Sequence, residues 1–272
     1  MDCCSRAELE LKGRFETAYA RAMTPVMLQI ERQVCGGDYG GNSWTTKKQA
    51  DILPELLGLR ANSQLLDLGA GTGWPGLYLS KITGCRTTLV DLPEVGLKIA
   101  KDRAISDGMV DRVSIHTADA AALPFEDASF DAINHCDLLC CLVKKRETLL
   151  ECHRVLRPLG SMVFSVISIA PGISKAQYQV ALENAPEFAE IEHSYEELIE
   201  RTGWRIEAVA DLTEEYLESC ARQVEADGEY QNELVALLGE QQSAERMRNW
   251  KRKLEAIQDG LFLRQLFTCR RP

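Results

Sequence analysis

No apolar run of about 18 residues, the length a membrane-spanning helix needs, occurs in this 272-residue chain. Its first residues, Met1 Asp2 Cys3 Cys4 Ser5, lack a basic stretch followed by an apolar one, so no secretory signal is expected and the chain reads as cytoplasmic. Internal repeats, low-complexity tracts and long linkers are also missing. The ten cysteines include no C-x-x-C pair, the usual opening of a zinc site. Without export, free buried thiols are the expectation, and no metal is assigned. The cluster His135, Cys136, Cys140 and Cys141 reads more readily as packing at a strand-to-helix junction than as a metal or metalloid site. Basic charge is scarce over residues 183 to 233, where sixteen Asp or Glu meet three Arg in a chain of net charge −10. That field repels phosphate backbones, which argues against nucleic acid as a partner. It mildly favours a cationic small molecule, although most of these acids read as a solvated helix face. His116, His153 and His193 have no motif context and read as structural.

What is present is concentrated in residues 64 to 80, QLLDLGAGTGWPGLYLS. Leu65, Leu66 and Leu68 read as a buried strand with Asp67 near its carboxyl end. Gly69, Gly71 and Gly73 alternate, so the backbone can turn sharply and approach a ligand with no Cβ in the way. Pro75 suits the first turn of the helix that follows, where its missing N–H costs nothing. Eighteen residues after Gly73, Asp91 closes a second apolar strand, Thr87 to Val90. A carboxylate there can accept both hydroxyls of a ribose, as in dinucleotide folds. A NAD fingerprint reads G-x-G-x-x-G, whereas this motif is D-x-G-x-G-x-G, with the acid inside and the third glycine one residue early.

In this motif the chain resembles the class I S-adenosylmethionine-dependent methyltransferases. The resemblance implies an α/β, Rossmann-like fold: a mostly parallel seven-stranded sheet, helices on both faces and an antiparallel last strand. It implies S-adenosyl-L-methionine as cofactor and S-adenosyl-L-homocysteine as product. It assigns Asp67, Gly69, Ala70, Gly71, Thr72 and Gly73 to the methionine end of the cofactor and Asp91, with Leu92 beside it, to the ribose. Asp119, followed by Ala120, comes after a third strand, Val113 to Thr117, and is assigned to the adenine. Asn134 joins this set from the fourth strand, Ser129 to His135. Glu147 to Leu156 reads as an amphipathic helix, and Arg157 Pro158 Leu159 Gly160 turns into a fifth strand, Ser161 to Ile169. Leu159 stands where the family commonly has the first glycine of L-x-P-G-G.

The flanks are expected to choose the substrate. Residues 6 to 34 read as helix, with Pro25 breaking or kinking it. A polar glycine loop from Cys35 to Thr46 precedes a helix from Lys47 to Leu57. Trp204 to Leu212 and Gly260 to Thr268 read as strands six and seven, and the residues between them, about 213–259, as helices folding over the carboxyl ends of the strands. The division expected is a helical cap with a lid loop over residues 1–58, then the cofactor-binding core over 59–272. Tyr39 and Trp44 suggest a mobile cover.

Among small-molecule enzymes of the family, the chain is similar to those methylating phosphoethanolamine and quinones. That similarity assigns Tyr39 and Asp137 to the site. A histidine four residues beyond the aspartate is replaced here by Cys141, which argues against phosphoethanolamine itself. Asp137 pairs with an amine or caps the helix beginning near Leu138. His135 is the candidate base nearest the methyl, its alternative being a strand-end histidine in the core. The acceptor is expected to be a small molecule with an N, O or C nucleophile. The rival readings are an arsenite methyltransferase using Cys136, a NAD-linked oxidoreductase and a non-catalytic S-adenosylmethionine-binding protein.

Overall fold

Strand β1 (Gln64–Leu68) carries leucines at 65, 66 and 68 that are all fully buried. Burial on both faces is what a central parallel strand requires. The computed structural model describes residues 6–41 and 43–272, so Cys3, Cys4 and the rest of the first five residues, together with Asn42, lie outside the described residues. Parallel to β1 run β2 (Arg86–Asp91), β3 (Val113–Thr117), β4 (Phe130–Cys136) and β5 (Leu156–Ile169), while β7 (Phe262–Arg270) is antiparallel to both β5 and β6 (Arg205–Asp211). The sheet order is β3-β2-β1-β4-β5-β7-β6. The order reverses at β1, whose carboxyl end lies between those of β2 and β4, and that crevice is where open α/β sheets take ligands.

The helices follow from local signals. Pro25 occupies the first turn of α2 (Pro25–Cys35) and separates it from α1 (Arg6–Ala22), so of the break or kink expected at this proline the chain makes the break. Helix α3 (Lys47–Leu57) starts at a capping box in which Thr46 and Gln49 satisfy each other's backbone N–H groups. Its Leu53 and Leu57 pack with Leu65, Leu79 and Val163. α3 therefore shares the core of the sheet. Around the sheet lie α4 (Gly76–Thr83), α5 (Glu94–Ser106), α6 (Lys145–Val155), α7 (Lys175–Asn184) and α8 (Tyr195–Arg201).

Between β6 and β7 come α9 (Thr213–Glu229), α10 (Gln231–Leu238) and α11 (Glu240–Gln258), the helical insertion the sequence predicts. Ile30 and Val34 of α2 pack with Ala226 and Leu234 of the insertion, joining cap and insertion above the carboxyl edge of the sheet. Among the described residues no helix is long and apolar enough to cross a membrane.

Candidate active site

The glycine loop leaves β1 with Gly69, Gly71 and Gly73 at φ of +66°, +50° and +96°, the left-handed region that a side chain disfavours. A Cβ on Gly71 would also lie 2.7 Å from the hydroxyl of Tyr19, so α1 packs directly on the loop. Behind it, Asp67 accepts from Gly76 N–H at 3.0 Å and from the Asn134 amide at 2.6 Å. Burial raises the Asp67 pKa to about 7. Asp91 accepts from Gly71 N–H at 2.7 Å with one oxygen and from Leu92 N–H at 2.8 Å with the other, and burial pushes its pKa up to about 6. Each oxygen retains a lone pair for a further donor.

These residues open on a cavity of about 680 Å³, within the roughly 300–1,000 Å³ of small-ligand sites. Asp67, Gly69 to Thr72, Asp91, Leu92, Asp119 and Asp137 line its floor. Tyr19 of α1 stands on one side, Trp250 and Lys253 of α11 on another, and Trp44 between them. Asp119 pairs with Lys144 at 3.2 Å. Thr72 Oγ1 is a buried hydroxyl with no partner among the described residues. Cys140 and Cys141 also reach the cavity, which qualifies the reading of these thiols as packing alone. Among the described residues no group of three or more His, Cys, Asp or Glu could hold a metal ion.

Five expected site residues stand elsewhere. His135 is fully buried in β4, stacked on Phe164 at 4.5 Å, and does not line the cavity. Its side chain leaves the strand on the face opposite to that of Asn134 and Asp67, because alternate residues point to opposite faces. Burial lowers its pKa to about 3, so it is neutral and sealed in the core and the expected base role falls away. Tyr39 packs against Trp74 at 5.0 Å, with the Arg103 guanidinium 4.2 Å from its ring centre. Glu31 fixes the segment by accepting from Tyr39 and Gly40 N–H at 2.9 and 2.6 Å. The tyrosine is thus a core anchor, while Gly40, Gly41, Ser43 and Trp44 of the same loop do line the cavity. Gly73, Ala120 and Asn134 support the wall without reaching the space: a Cβ on Gly73 would strike Leu77 at 2.5 Å, and Asn134 holds Asp67.

Asp137 does line the cavity, at φ +51°, but neither as a free carboxylate nor as a helix cap. Arg264 of β7, 1% exposed, grips it through Nε at 3.1 Å and Nη2 at 2.9 Å. The same guanidinium donates to Trp44 O, Thr45 Oγ1, Gln49 Oε1 and Ser165 Oγ, tying loop, α3, β4, β5 and β7 together. Sequence reasoning passes over Arg264, Tyr19, Trp250 and Lys253. A signal was available only for α11, where Gln242, Arg246, Asn249 or Trp250, and Lys253 recur at helical spacing on one stripe.

Residues 66–164 match the family model described as a methyltransferase domain. The chain is 29% identical over 174 residues to the methyltransferase GfsG of Streptomyces halstedii, covering 62% of each chain. To the 27-O-demethylrifamycin SV methyltransferase of Amycolatopsis mediterranei it is 32% identical over 126 residues, 46% of each. It thus spans between about half and two thirds of the length of these relatives. Among solved structures, the [4+2]-cyclase SpnF superposes with a TM-score of 0.75 at 20% identity, over 95% of this chain and 96% of that one. Phosphoethanolamine N-methyltransferase 2 of Haemonchus contortus gives 0.76 at 21% identity, over 95% of this chain and 60% of that one.

Proposed function

We propose, from the premise that this chain carries a domain of the class I S-adenosylmethionine-dependent methyltransferase family, that it transfers the methyl group of S-adenosylmethionine to a small molecule. The observation that carries this reading is the convergence of Asp91, the glycine loop and an aromatic-walled space on one cavity. The cavity fits that cofactor: Thr72 Oγ1 is an unpartnered hydroxyl among the described residues and Asp91 keeps acceptor capacity on both oxygens.

When bound, S-adenosylmethionine supplies a methyl group activated on a sulfonium. The protein's share is to bind, orient and exclude water. Asp91 accepts the ribose hydroxyls, Asp119 accepts from the adenine amino group, and the Gly69 to Thr72 backbone with the Thr72 hydroxyl receives the zwitterionic end. α1 and α11 roof the space. The acceptor is a small molecule and not nucleic acid, and the protein acts in the cytoplasm. With Asp137 paired to Arg264 and His135 walled off in the core, neither of the two expected side chains is placed to take a proton from the acceptor.

SpnF, a cyclase by name, shares this fold, so the fold alone does not carry methyl transfer. The test is calorimetric titration with S-adenosylhomocysteine and with NAD, followed by transfer of a labelled methyl group into extracts of small molecules. The expected result is binding of the first, none of the second, and labelled product. Binding of NAD in place of S-adenosylhomocysteine, or cofactor binding with no labelled product, would overturn the proposal.

A further inference from the structure

Two side chains on one stripe of α11, Trp250 and Lys253, line the cavity with no hydrogen-bond acceptor for either donor among the described residues. Trp250 Nε1–H is buried without a partner among the described residues. Lys253, one turn further on, lines the same cavity, and among the described residues its ammonium meets no carboxylate or carbonyl. Its ammonium lies 5.7 Å from the centre of the Trp250 ring. Arg246, the other cation of that stripe, is already committed to Asp227 through contacts of 2.6 and 3.0 Å. Asp137, the floor carboxylate beyond Cys140, is held by Arg264 and is not free to take the lysine.

A buried N–H without an acceptor costs stability, and an oxygen carrying negative charge would satisfy it while pairing with the half-buried ammonium beside it. The aromatic surroundings state the rest of the ligand. Trp250 and Trp44 both line the cavity and meet edge-on at 5.4 Å, with buried Tyr216 behind Trp44 at 5.1 Å, so apolar aromatic surface stands beside the two donors. Burial lowers the Lys253 pKa, with Cys220, Cys140 and Cys141 acting in the opposite direction. None of the sixteen acids of residues 183 to 233 lines the cavity, so that stretch supplies no carboxylate there for Lys253.

We propose that Lys253 and Trp250 form the recognition site for an anionic oxygen on an aromatic or conjugated acceptor, resting on the methyltransferase reading for the word acceptor alone. The anion is a carboxylate or an ionised hydroxyl, and the two sources share this chemistry.

The test uses the full chain, loaded with S-adenosylhomocysteine, and four probes of one shape: 4-nitrobenzoate, 4-nitrophenolate at mildly alkaline pH, neutral 4-nitrobenzamide and cationic 4-nitrobenzylammonium. Binding is read by quenching of tryptophan fluorescence. At least one anion is expected to bind about tenfold or more tighter than the amide, a charge-assisted hydrogen bond's worth. Which anion leads distinguishes carboxylate from ionised hydroxyl. Lys253→Gln is expected to bring anion and amide to parity, Lys253→Arg to keep the preference, and Trp250→Phe to weaken the anion about threefold or more. Equal binding of amide and anions, preference for the ammonium, no measurable binding of either anion, or a preference that survives Lys253→Gln would each sink the proposal. Cofactor binding is measured first. Failure there removes the methyltransferase reading, while the anion preference is still scored on the ligand-free chain.

Discussion

His135 shows how much a single residue's face decides. Its ring nitrogens have no hydrogen-bond partners among the described residues, and burial holds its folded pKa near 3 against an ordinary 6.5. The folded protein therefore refuses a proton that the unfolded chain accepts below pH 6.5, so stability is lost as pH falls through that value. Between about pH 7.5 and pH 5 the loss assigned to this residue is about 2 kcal/mol. His135→Phe, which keeps the stacking on Phe164, should abolish that component, seen as a smaller difference between urea midpoints at the two pH values, while labelled methyl transfer persists. Loss of transfer with an unchanged fold would restore the catalytic role. At Asp91 the expected effect is on the ligand: Asp91→Ala should weaken S-adenosylhomocysteine by roughly 1.5 to 3 kcal/mol in calorimetry, through loss of charge-assisted bonds to the ribose. The acid is legible because a strand-end carboxylate has a fixed place after the second strand. The histidine is not, because proximity in sequence to the site says nothing about which face of a strand a side chain takes.

Strand β5 and the 43–46 loop carry the next scale. Leu159, where the family resemblance has glycine, sits at φ +63° and is 70% exposed. The left-handed conformation costs a residue with a Cβ about 1–2 kcal/mol. A glycine in its place escapes that strain but loses more conformational entropy on folding, so Leu159→Gly is expected to raise stability by at most about 1 kcal/mol, read from a denaturant midpoint. A fall in stability would show that the leucine makes contacts that outweigh the strain. The Arg264–Asp137 pair predicts the opposite sign. Asp137→Asn removes one partner and leaves a guanidinium buried beside loop, α3 and β7, which should cost about 3–5 kcal/mol. Double variants of Arg264 and Asp137 to similar-sized apolar residues should recover part of that stability, because no charge is then left alone. The element boundaries themselves are legible from local signals: the Thr46 box, Pro25 and the strand-flanking glycines. The register that brings Arg264 to Asp137 is not, since 127 residues separate them.

At the scale of the whole molecule, cap, sheet edge and insertion form three sides of one cavity, so a ligand there is coupled to all three. S-adenosylhomocysteine at about a hundred times its dissociation constant should stabilise the chain by about 2.7 kcal/mol. The gain should appear in hydrogen exchange as slowed amides in α1 and α11 as well as in the glycine loop. Protection confined to residues 66–92 would mean that the cap and the insertion do not close on the cofactor. Hydrophobic runs, glycine spacing and one acid made the individual strands, most helices and the glycine loop legible in the sequence, because those are set by contacts between residues close in the chain or repeated with a fixed period, while the seven-stranded sheet was legible through the family resemblance that the motif carries. Only the tertiary structure decided that Tyr39 anchors the loop from behind, that Asp137 is committed to Arg264, and that Lys253 and Trp250 face the cavity with no acceptor among the described residues. Those outcomes depend on which distant groups share a buried volume, and burial and pairing between remote segments leave no periodic mark in the sequence.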